Sequence, residues 1–184
     1  MRQLLPLCLL LFGAIAAAGE IPNPLIDYKA FKANVRKVEK LREQRRLTEE
    51  EFMRMAADPH TVILDARSAQ RFEWLHIKGA RNLNFSDITA AELAKVIPSK
   101  STRVLIYCNN NFLNEPYAFA TKVAPASLNL HTFTTLLSYG YTNIYELGPA
   151  IDVNQARIPF EGSKHLSAPS QALNTWLPAS DARR

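Results

Sequence analysis

Two runs, TVILD at 61–65 and RVLIY at 103–107, have unbroken apolar centres, Val62 to Leu64 and Val104 to Tyr107, which is how a strand reads when both of its faces are covered. Such strands require helices on both sides of their sheet, and the intervening segments supply them. Thr48 with Glu51 forms a capping box for a helix carrying Phe52, Met55 and Ala56, which Asp58 and Pro59 end. Ser68 is placed to cap a helix at 69–75, and Thr89 with Glu92 opens another at 90–97 before Pro98. Further strands are expected at 80–84 and 142–147, and further helices at 115–123 and 130–139, the first capped by Asn114 with Pro116 in its first turn and the second closed by Gly140. Strands alternating with helices imply an α/β fold with a mostly parallel sheet, whose ligands bind beyond the strand carboxyl ends.

The first eighteen residues stand apart. Arg2, an apolar core from Leu4 to Ala18 and the small residues Ala16, Ala17 and Ala18 read as a secretory signal peptide over 1–18. Cys8 lies inside that core and lacks the small neighbours of a lipid-attachment site. The remaining stretch of about 165 residues suffices for one domain, holds no run long enough to cross a membrane, and contains one cysteine, Cys108. A lone thiol cannot close an internal disulfide, so an exported chain of this kind carries Cys108 as a free sulfur. Its compartment is the periplasm for a bacterial protein and the extracellular space otherwise.

Much of the net charge of +5 gathers in one place. Between 27 and 46 lie Lys29, Lys32, Arg36, Lys37, Lys40, Arg42, Arg45 and Arg46, with Tyr28, Phe31, Val35, Val38 and Leu41 at helical spacing. Residues 19–47 therefore read as a basic amphipathic helical extension with a solvated face, not as a nucleic-acid surface. Residues 163–184 mix Ser, Ala, Pro and scattered Leu without a period and read as an extended or disordered tail.

Four blocks stand in order: Asp65-Ala66-Arg67, then Phe72 and His76-Ile77-Lys78-Gly79-Ala80-Arg81-Asn82, then the strand ending in Cys108, then Gly140-Tyr141-Thr142-Asn143-Ile144-Tyr145-Glu146-Leu147. On these blocks the chain resembles the rhodanese (thiosulfate sulfurtransferase-like) family over residues 48–162. The resemblance implies a five-stranded sheet flanked by helices, an active-site loop after the fourth strand, and persulfide chemistry at Cys108. It also implies structural roles for Asp65, Arg67 and His76, with Gly79 at a turn.

The residues around Cys108 give that chemistry a physical basis. A loop between a strand end and a helix start can aim successive N–H groups at one point, and the helix start adds partial positive charge; both favour a thiolate. Asn109, Asn110 and Asn111 tolerate positive φ and are expected to curl around the sulfur, with Phe112, Leu113 and Asn114 completing a substrate-binding loop. That loop has no arginine, and Asn114 stands where a cysteine phosphatase would need one. The segment 121–133 is expected to form a pocket rim, with Lys122 or His131 supplying the missing charge.

The four histidines, at 60, 76, 131 and 165, are scattered and no second cysteine joins them, so neither metal nor cofactor is expected. The partners expected are a small sulfur donor or persulfide and a thiol or cyanide acceptor. A rhodanese-fold binding module with a weak or inactive cysteine and a protein partner is the alternative.

Overall fold

The computed structural model describes residue 21 and residues 23–163. The expected signal peptide at 1–18 and all but the first residue of the tail at 163–184 lie outside these. Among the described residues five α-helices and nine strands follow in chain order: α1 (Tyr28–Arg42), β1 (Arg46–Leu47), α2 (Glu49–Ala56), β2 (Thr61–Asp65), α3 (Ala69–Trp74), β3 (His76–Ile77), β4 (Arg81–Asn82), α4 (Ala90–Val96), β5 (Arg103–Tyr107), β6 (Phe112–Leu113), α5 (Leu128–Ser138), β7 (Ile144–Leu147), β8 (Ile151–Asp152) and β9 (Phe160–Glu161).

The main sheet has the order β1-β7-β5-β2-β4, and all its pairs are parallel. Central β5 aligns Leu105 with Ile63 on one side and with Tyr145 on the other. Because side chains alternate along a strand, Val104 and Ile106 enter one core with Val62, Leu64 and Ile144. Leu105 and Tyr107 enter the opposite core with Ile63 and Leu147. Val38 of α1, Leu93 of α4, and Phe133 and Leu136 of α5 cover the first face. Phe52 of α2 and Phe112 of β6, with Leu75, Phe119 and Ile158 from the connecting segments, cover the second.

The helix starts follow the capping residues. Asp27 accepts the Ala30 N–H at 2.8 Å, Thr48 and Glu51 close a full capping box, Ser68 caps α3, and Thr89 accepts the Glu92 N–H. Helix α1 ends at Arg42, short of the expected 46, because the chain turns extended to pair with β7: Glu146 N–H donates to Arg45 O at 2.9 Å. This makes β1 the fifth strand, which has no apolar run to announce it. Arg42 clamps α1 to the sheet, donating from Nε and Nη2 to Glu146 Oε1 at 2.9 and 2.6 Å. The strands expected at 80–84 and 142–147 are realised as the shorter β4 and β7.

The helix expected at 115–123 is absent; only one turn forms, with Phe119 N–H donating to Glu115 O at 2.9 Å. A helix needs the 117 and 118 carbonyls for N–H groups four residues on. Here Arg71 Nη1 donates to Tyr117 O at 2.6 Å, and Arg67 Nη1 to Ala118 O at 2.8 Å. The Lys122 N–H in turn goes to Asn110 Oδ1 at 3.0 Å. Asn114 is not a cap either: its φ is +64°, its Nδ2 reaches Asp152 Oδ2 at 2.7 Å, and Glu115 takes over by accepting the Ala118 N–H.

Candidate active site

Cys108 follows the last residue of β5, at the carboxyl end of the sheet where open α/β folds place their ligands. Its side chain is 1% exposed, yet it belongs to neither hydrophobic cluster. The sulfur lies 3.5 Å from Ser127 Oγ, at the start of α5. The loop after it is a 3-10 turn over Asn109–Asn111.

That turn supplies part of the expected cradle. The Asn111 N–H is shared between Cys108 O at 3.2 Å and the Cys108 side chain, with which Asn111 closes a capping box, while the Phe112 N–H goes to Asn109 O. Asn109, Asn110 and Asn111 keep negative φ; among the described residues Asn114 alone, glycines aside, takes a positive one. The asparagine side chains serve the backbone instead. Asn111, 5% exposed, accepts the Cys108 N–H at 2.9 Å and Asn129 Nδ2 at 3.1 Å, and donates to Leu147 O at 2.8 Å and Pro149 O at 3.1 Å. Phe112, expected in the substrate-binding loop, is drawn into the core by the pairing of β6 with β8, its ring centroid 4.6 Å from that of Phe119 and 5.0 Å from that of Phe160. Leu113 and Asn114 point outward.

Beside the cysteine, a buried polar layer braces the sheet edge. Asp65 receives Arg67 Nε at 2.9 Å and Nη2 at 2.5 Å, while Tyr107 Oη donates to Asp65 Oδ2 and accepts the Ile77 N–H at 3.2 Å. Arg67 also donates to Leu75 O at 2.8 Å and stands 4.2 Å over the Phe119 ring. Burial by itself lowers the Arg67 guanidinium, but the hydrogen bond and charge of Asp65 offset this and hold it above its ordinary value. Tyr107 is pushed well above its ordinary value, first by burial and then by the Asp65 charge. Asp65 and Arg67 thus tie the loops together, each in the geometry of a buried, fully hydrogen-bonded pair. His76 stacks on Phe72 at 3.7 Å between centroids, and its Nδ1 lies 2.7 Å from Phe72 O. Gly79 takes φ +78° in the turn from β3 to β4.

A polar cleft of about 350 Å³ opens at the ends of β2 and β5. Ser68, Asn84 and Phe85 line one side, and Asn109, Lys122 and Leu128 the other. Arg71 and Lys122 bring positive charge, Arg67 is neutralised by Asp65, and no carboxylate lines the cleft. Cys108 is not among the lining residues; it precedes Asn109 in the chain and touches Ser127, the neighbour of Leu128. Lys122 therefore stands where the rim was expected. His131 does not: it is exposed on α5, edge-on to Phe85 at 6.1 Å, and lines a larger, apolar groove of about 450 Å³ between α1 and α5. Among the described residues no cluster of three or more His, Cys, Asp or Glu could hold a metal, and no helix is long and apolar enough to span a membrane.

Sequence reasoning missed Ser127, Asn129 and Arg71. Serine directly before an apolar helical stretch is an N-cap signal and could have pointed to Ser127. Arg71 and Asn129 give no such signal, since their roles depend on contacts distant in the chain.

The sequence model of the Rhodanese-like domain matches residues 48–147, just over half of the chain. This chain belongs to the rhodanese-like domain family. No curated protein matches it in sequence. Among solved structures it is similar to a rhodanese with anions from E. coli, at 20% identity and TM-score 0.37, covering 55% of this chain and 98% of that one. It is also similar to a thiosulfate sulfurtransferase from Pseudomonas aeruginosa, at 21% identity and TM-score 0.48, covering 72% of this chain and 23% of that one. A third likeness is to the BH2092 protein from Bacillus halodurans, at 16% identity and TM-score 0.46, covering 75% and 90%. Membership in the rhodanese-like family rests on the sequence match.

Proposed function

We propose that this rhodanese-like domain is an exported sulfurtransferase that passes a sulfane sulfur through a Cys108 persulfide to a thiol or cyanide acceptor. The observation that carries the reading is the cleft beside Cys108, with Arg71 and Lys122 on its rim and no carboxylate in its lining. Such a lining favours an anionic donor, a persulfide or thiosulfate, and the cleft sits where α/β sheets place their chemistry. Export is supported by the composition of residues 1–18.

The transfer balances without an oxidant. Cys108 gives its proton to solvent, its sulfur forms a bond to the outer sulfur of the donor, and the donor's sulfur–sulfur bond breaks. The leaving group departs with the electron pair, as a thiolate or, from thiosulfate, as sulfite. The acceptor then bonds the outer sulfur and returns the Cys108 thiolate. Since Cys108 is buried, contact with a donor requires the structure around it to open.

The burial of Cys108 and the commitment of the Phe112 amide to Asn109 O favour a second reading, a weak or inactive rhodanese-fold module that binds a protein partner. Thiocyanate production from cyanide and a sulfane donor separates the two. The transferase forms it and loses that activity in Cys108→Ser; the binding module forms none.

A further inference from the structure

Ser127 occupies the N-cap position of α5, where a serine side chain ordinarily accepts an N–H from the first turn, yet it makes no such bond. Its hydroxyl instead faces the sulfur of Cys108 at 3.5 Å. The sulfur is buried, whereas Ser127 is only partly so, which makes this hydroxyl a polar contact between the thiol and the surface. Helix α5 is 11 residues long, and its start favours negative charge nearby. Asn129, in the first turn and 4% exposed, leaves its Oδ1 without a hydrogen-bond partner, as does buried Thr132 Oγ1 one turn on. The sulfur therefore abuts a polar helix start on one side and the Asn111 N–H of its own loop on the other.

We propose that Ser127 is a positioning residue for Cys108: its hydroxyl, released from capping α5, donates to the sulfur when that atom is a thiolate, the form that attacks the donor. The proposal rests on the transferase reading but is separable from it. Hydrogen bonds to charged groups are the stronger kind, so their loss is read as a rate change of roughly tenfold or more.

The test compares wild type, Ser127→Ala and Ser127→Thr in two assays, sulfur gain from a small persulfide donor by intact mass and alkylation of Cys108 by iodoacetamide, with thermal melts confirming the fold. The expected result is a roughly tenfold slower sulfur gain and slower alkylation in Ser127→Ala, with Ser127→Thr restoring both. Equal sulfur gain in wild type and Ser127→Ala overturns the role of Ser127 and leaves the transferase reading standing. If wild type gains no sulfur, the transferase reading fails, and alkylation alone then decides Ser127: equal rates overturn its role, and a slowing that threonine rescues upholds it.

Discussion

The side-chain amide of Asn110 grips the backbone of Lys122 in both directions, donating from Nδ2 to Lys122 O at 2.8 Å and accepting the Lys122 N–H at Oδ1 at 3.0 Å. This clasp joins the turn after Cys108 to the segment that forms the far wall of the cleft. It also explains why Lys122 lines the cleft together with Asn109, the residue after the cysteine.

Removing the clasp should loosen the wall and expose the sulfur. For Asn110→Ala, alkylation of Cys108 is expected to accelerate several-fold, and two partly exposed hydrogen bonds correspond to about 1–2 kcal/mol of stability. Iodoacetamide kinetics with a urea melt measure both. Unchanged alkylation would show that the clasp does not guard the thiol.

Asn111 is the more severe site. Its side chain makes four hydrogen bonds in a buried position, and truncation leaves the Cys108 N–H, the Leu147 carbonyl and Asn129 without their partners. Asn111→Ala is expected to cost about 2–4 kcal/mol by denaturant titration, because each stranded buried group carries its own desolvation cost. A loss below 1 kcal/mol would mean that water replaces these bonds.

Lys122 has an exposed side chain, and its backbone makes the clasp. Lys122→Ala should therefore leave the melting temperature alone while raising the KM for an anionic donor about three- to tenfold, the scale of one partly screened charge. Steady-state kinetics with thiosulfate and with an uncharged persulfide source check this: the effect should be confined to the anion. Identical KM values would place the donor elsewhere.

Tyr107 sets a limit at high pH. The folded state holds its proton more tightly than the unfolded chain, which titrates near 10. Its contribution to stability is therefore complete below about pH 10 and declines above it, by at most about 1.4 kcal/mol per pH unit for a single proton. Tyr107→Phe should be less stable near neutrality, since Asp65 and the Ile77 N–H lose a partner. It should also show a shallower alkaline decline. Parallel alkaline slopes in urea titrations from pH 9 to 11 would contradict this.

The strands and helix starts were legible because their signals are local: the apolar runs of β2 and β5, Thr48 with Glu51, Ser68, Thr89. Cys108 at a strand end was legible for the same reason. The stretch 109–123 was not, because its path is decided by partners far away in sequence. Arg67 and Arg71 take the carbonyls a helix would have used, Asn110 takes the Lys122 N–H, and Asn111 turns inward to Leu147 and Pro149. An asparagine run reads equally well as a positive-φ curl or as a set of backbone clamps, and only the fold distinguishes the two. β1 escaped notice because two residues carry no periodicity.

The central claim, that Cys108 accepts a sulfane sulfur, is tested most directly by weighing the intact protein after exposure to a persulfide donor and to thiosulfate. The account predicts a gain of one sulfur from at least one donor, removed by cyanide and absent in Cys108→Ser. No gain from either donor, with Cys108 still present and the protein folded, would contradict it.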